Sequence, residues 1–176
     1  MGIRNEVQQL QNEENARIRH TILKKVESFD DQALNEKPSA GEWSAMQILD
    51  HLYKMEQTIT AGVAKTAEKN QQKKALKKPI QVSVNRKVKV EAPDHTVPEE
   101  TFITLADMKE KLNESRNRLY EVYARTDDET LQNNSMPHPV FGDVPLVQWF
   151  PFIGYHEKRH LAQLEETLRK IDEKKN

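Results

Sequence analysis

Two histidines, His156 and His160, stand four residues apart inside a long run that is apolar at helical spacing. Trp149, Ile153, His156, His160, Gln163 or Leu164, and Thr167 follow one another at steps of three and four. That spacing puts both imidazoles one above the other on the face a helix turns to its core. One inward histidine is an ordinary core residue. Two in register each need a polar partner, and a divalent metal ion satisfies both at once. The chain is thereby constrained towards a helical domain with a polar or metal-binding point inside it.

Periodicity predicts three more long helices. The first covers about residues 3–28, with Ile3, Val7, Leu10, Ile18, Ile22, Val26 and Phe29 as its stripe. Glu14 falls on that stripe, four after Leu10 and four before Ile18, and two readings stay open: the stripe drifts to solvent for a turn, or Glu14 faces a polar cavity. After a connection punctuated by Pro38 and Gly41, Ser44 and Gln47 form a capping-box pattern opening a helix to about residue 70. Its stripe is Ile48, Leu52, Met55, Ile59 and Val63, and His51 lies on the same broad face. Residues 65–78 are lysine-rich and read as a solvated helix end. In residues 79–100, Val82, Val84, Val88 and Val90 alternate with polar residues, as in a short two-stranded excursion or an extended lid. Thr104 as N-cap, with Asp107 three on, opens a third helix to about residue 125. The last helix is expected to be capped by Asp143 or Val144, with Pro145 in its first turn, and to kink at Pro151. There is no internal repeat, so residues 1–176 read as one all-α domain, a four-helix bundle.

Composition narrows the chemistry. The chain of 176 residues has no cysteine and a formal net charge of −1. Metal ligands must then come from His, Asp or Glu, and no overall basic field argues for nucleic acid. No apolar run approaches a membrane span and no signal-like segment opens the chain, which is expected to be cytoplasmic. His51, His156 and His160 supply three imidazoles, the ligand count of a catalytic zinc site with an open position. Imidazole ligation equally suits nickel, cobalt or iron. Gln47, one turn before His51, and Gln163, three after His160, are candidates to orient a ligand or bound water, and Glu14 is the carboxylate that could reach the cavity. His156 to His160 also fits H-E-x-x-H, in which Glu157 would be a general base, but only sixteen residues follow His160 to supply a third zincin ligand.

Two stretches carry a family resemblance. Gly41-Glu42-Trp43-Ser44 leading into Gln47-Ile48-Leu49-Asp50-His51-Leu52 resembles the first motif of the DinB/YfiT-like superfamily. His138-Pro139-x-Phe141-Gly142, then Gln148-Trp149 and His156-x-x-Arg159-His160-x-x-Gln163, resembles the second. The resemblance implies a four-helix bundle with a long crossover connection, a divalent metal, zinc or nickel, on His51, His156 and His160, and frequent homodimers. It implies a small-molecule substrate, hydrolysed by metal-activated water or conjugated to a low-molecular-weight thiol such as bacillithiol. The alternative is a non-catalytic metal-binding stress-response protein. The aromatics Phe141, Trp149, Phe150, Phe152 and Tyr155 cover more than one helix face and point independently to a dimer interface or pocket mouth.

Overall fold

The structure, a computed structural model, describes residues 2–87 and 90–175, with side chains from residue 9 to residue 174 within them. Ile3, Val7 and Val88 therefore lie outside the described side chains. Four long helices dominate: α1 (Gly2–Val26), α3 (Ala45–Lys69), α4 (Leu105–Arg125) and α6 (Leu146–Lys175). Two short helices, α2 (Asp31–Asn35) and α5 (Asp128–Asn133), fill connections.

The helix starts follow from local chemistry. Ser44 accepts from the Gln47 amide while the Gln47 side chain accepts from the Ser44 amide, a complete capping box. Thr104 caps α4 through the Asp107 amide, and Asp30 and Asp127 cap α2 and α5. The last helix starts differently from expectation. Asp143 and Val144 cap nothing; they lie in β2 (Gly142–Pro145), which pairs antiparallel with β1 (Ser135–His138). Gly142, at φ +68°, closes the three-residue loop in the left-handed region that such hairpins require. Among the described residues of the stretch 79–100 there is no strand pair: Ile80–Val84 is a turn of 3-10 helix.

Lateral contacts fix the helix directions. Asn15 reaches Phe150, Arg19 reaches Glu157 and Lys25 reaches Glu165, so α1 and α6 run parallel. Met46 and Leu49 of α3 share one half of the core with Met108 and Leu112 of α4, while Ile59 and Val63 share the other half with Leu119 and Tyr123. Thus α3 and α4 are also parallel, and residues 70–104 must return the chain along the bundle.

The crossover has no sheet to satisfy its backbone, so side chains of the bundle do so. Gln148 bonds both the amide and the carbonyl of Lys78, and Arg159 donates to the carbonyls of Ser83 and Asn85. Lys54 donates to Val97 and Gln47 to Glu99. Asn35 bonds the amide and carbonyl of Ile103.

Between the two apolar halves lies a charged layer to which each long helix contributes one residue: Arg19, Glu56, Arg116 and Glu157. All four are buried. Arg19 donates to Glu157 at 2.9 Å and to Glu56 at 3.1 Å, and Arg116 donates to Glu56 at 2.9 Å and to Glu157 at 2.8 Å. Burial works against the Arg116 charge, but Glu157 and Glu56 beside it raise its pKa above the ordinary value. The layer sets which helix faces which, because any other pairing strands a charge in the core.

Candidate metal centre

His51 of α3 and His156 and His160 of α6 come together at the crossover side of this layer. Each offers a ligand atom, and these atoms all lie within 4.8 Å of one another. His51 and His160 are buried and His156 is partly so.

Hydrogen bonding sets the tautomers. His51 Nδ1 lies 2.9 Å from the Thr96 carbonyl, which can only accept, so Nδ1 carries the proton. His160 Nδ1 lies 2.8 Å from Gln163 Oε1 and is protonated for the same reason. Both Nε2 atoms are left as bare lone pairs. His156 Nε2 lies 3.3 Å from His51 Nε2, so its ring faces the same point. Imidazoles anchored through Nδ1 and converging through Nε2 are the donor set a divalent cation takes. Electrostatics favour it too. Burial pushes all three imidazoles below their ordinary 6.5; the neighbours His160 and His51 push His156 further, and His160 falls to about 3. The rings are therefore neutral near pH 7, as ligation requires. Trp43 lies against His51 with ring centroids 5.1 Å apart, and Phe152 stacks on His156 at 6.2 Å.

The other sequence candidates divide. Gln163 stands where it was expected, holding His160. Gln47 does not orient His51: one end of its amide caps α3 and the other bonds Glu99. Glu14 is a correction. It is exposed and pairs with Arg17 at 3.3 Å, because the stripe drifts and Asn15 and Arg19 turn inward instead. Glu157, the H-E-x-x-H candidate base, lies in the charged layer: its Oε1 accepts from Arg19 and Arg116, while its Oε2 is buried without a hydrogen-bond partner. Sequence reasoning missed Thr96, whose backbone carbonyl no side-chain pattern reveals; its flanking Pro93 and Pro98 mark only a rigid turn. It also missed the charged layer, for which Arg116, set between Leu112 and Leu119 in α4, is the one signal the sequence offers.

The aromatic cluster needs no second chain. Trp149, Phe150 and Phe152 are 4 %, 3 % and 4 % exposed within the monomer, as the helix turns them to different neighbours around Pro151. Phe141 and Tyr155 are half-buried.

Comparison with known proteins agrees with this architecture. A four-helix bundle protein of known crystal structure, TT2238, superposes with a TM-score of 0.63, covering 90 % of this chain and 98 % of that one at 18 % identity. The uncharacterized protein YuaE of Bacillus subtilis (strain 168) is 37 % identical over 147 residues, which is 84 % of this chain and 90 % of YuaE. The DinB superfamily model matches residues 14–164. With His51, His156 and His160 all inside that match, the chain belongs to the DinB superfamily.

Proposed function

We propose that the chain is a metal-dependent enzyme whose ion, zinc or nickel, is held by His51, His156 and His160. The observation that carries this reading is the pair of Nδ1 anchors on Thr96 and Gln163, which leaves bare Nε2 atoms converging in a dry site. Such an ion supplies acidity, lowering the pKa of a water or thiol bound to it. The protein's own residues do the rest. Thr96 and Gln163 hold two rings in register, Trp43 covers His51, and His156, the one partly exposed ring, rests against Phe152. Among the described residues the cluster includes no carboxylate, which supports an open coordination position over a closed structural one.

Two reactions fit: hydrolysis of a small electrophile, and transfer of a low-molecular-weight thiol to it. A cysteine-free chain handling such a thiol suits the reducing cytoplasm. Among the described residues no helix is long and apolar enough to cross a membrane. A homodimer is proposed on the family resemblance alone; a lone 20.5 kDa species in sedimentation equilibrium would end that part.

The test has two stages. Chelator-treated protein is titrated with zinc, nickel and cobalt, reading the fluorescence of Trp43 beside His51. A one-to-one transition that His160→Ala removes is expected; none at all rejects the centre. Loaded and stripped protein are then screened with bacillithiol, glutathione and coenzyme A against monochlorobimane, alongside simple ester and amide substrates. A non-catalytic metal protein is the second reading, favoured by one observation: two of the three cluster histidines, His51 and His160, are buried. Tight metal binding without turnover of any of these compounds decides for it.

A further inference from the structure

A cleft lies on the far side of the charged layer from the histidines, where the first turns of α6 meet α1, α4, α5 and the crossover. Its volume is about 340 Å³, and Tyr123, Leu131, Phe150 and Tyr155 give it a mainly aromatic wall. A recess of about 220 Å³ continues it, sharing Tyr123 and Phe150 and adding Tyr120 and Asn12.

Two polar groups of this cleft and its recess are left without a protein partner among the described residues. The Asn12 Oδ1 atom is buried and accepts no hydrogen bond. Lys77, exposed at the rim, makes no ion pair among the described residues. A buried acceptor left without a donor is costly, so its retention beside an aromatic wall points to a ligand that brings one.

We propose that this cleft is a second small-molecule site, taking an aromatic carboxylate that carries a hydroxyl or amino donor. The ring stacks among Tyr123, Phe150 and Tyr155, where offset and edge-on contacts are favourable. The carboxylate meets the Lys77 ammonium at the rim, and the donor reaches Asn12 in the recess. A cleft of this size accommodates one ring with short substituents. The site is independent of the metal centre and of the reaction assigned to it.

The probe is 4-hydroxybenzoate, titrated into the full-length ¹⁵N-labelled protein, with benzoate and benzyl alcohol in parallel. The expected result is saturable amide shifts at Leu131, Val147 and Tyr155, with those around His51 and His160 unmoved. Lys77→Glu weakens 4-hydroxybenzoate by about fivefold and leaves benzyl alcohol unchanged, the size of an exposed ion-pair effect. Asn12→Leu weakens 4-hydroxybenzoate by about fivefold and leaves benzoate unchanged. Absence of cleft shifts, or equal affinity in both variants, overturns the proposal. So does concentration-dependent broadening of Tyr120 and Tyr155 without ligand, since that identifies a second copy of the chain as the occupant.

Discussion

At the scale of single residues, the centre depends on what holds the ligands as much as on the ligands. Gln163 touches only His160, yet it fixes which nitrogen of that ring is bare. Gln163→Leu is expected to cost about tenfold in metal affinity with little change in melting temperature, read by competition with a chromophoric chelator. Glu14→Gln is expected to change neither quantity, because Glu14 is exposed. Glu157 gives the sharpest contrast. As the general base of an H-E-x-x-H enzyme, its replacement by Gln would abolish turnover and spare stability. As one of two anions facing Arg19 and Arg116, it does the reverse. Glu157→Gln leaves two buried guanidinium groups sharing the Glu56 carboxylate, and should destabilise by about 3 kcal/mol in urea unfolding, with metal affinity retained.

At the scale of elements, the placement of His156 and His160 is a matter of how α6 lies on α1. Gly154 makes their close approach possible. A Cβ there would meet Asn15 Oδ1 at 2.0 Å. Asn15 cannot swing away cheaply, since it is 2 % exposed and its amide holds the Phe150 carbonyl one turn earlier. Gly154→Ala should therefore destabilise by about 2 kcal/mol despite the better helix propensity of alanine. The double variant with Asn15→Ala should recover part of that loss. Additive losses in this pair would show that the contact is not what limits helix approach. The crossover is the other decisive element. It is held by side-chain bonds to its backbone, and the bond nearest the centre is donated by His51 itself.

At the scale of the whole molecule, the three buried imidazoles link stability to pH. Their folded pKa values lie below the ordinary 6.5, with His160 at about 3. Above about pH 6.5 both folded and unfolded chains are neutral at these rings and nothing is lost. Below it the unfolded chain takes up protons that the folded one refuses, so stability falls as pH falls. For His160 alone the loss reaches about 2 kcal/mol by about pH 5. Urea midpoints of the metal-free protein at about pH 7.5 and about pH 5 should show it, and His160→Gln should flatten the decline. An equal decline in that variant would assign the pH dependence to other groups.

Helical periodicity, read with no structure, determined the four long helices and the three histidines as inward residues, and capping chemistry determined the Ser44 and Thr104 caps. Each of these follows from chemistry local to a few turns. The motifs spanning Gly41 to Leu52 and His138 to Gln163 were enough to resemble the family that the chain belongs to. Only the tertiary structure decided what depends on partners distant along the chain. The hairpin at Ser135–His138 and Gly142–Pro145 arises from pairing in a stretch whose prolines hide any strand pattern. Arg19, Glu56, Arg116 and Glu157 read singly as surface charges or flaws in a stripe, and become a core layer only when four helices bring them within hydrogen-bonding distance. Glu14 and Asn15 are neighbours in sequence, and a turn of about 100° per residue sends one to solvent and the other against α6. Thr96 serves through its carbonyl, a group every residue possesses, so its role is set by where the crossover lies and not by which side chain it carries.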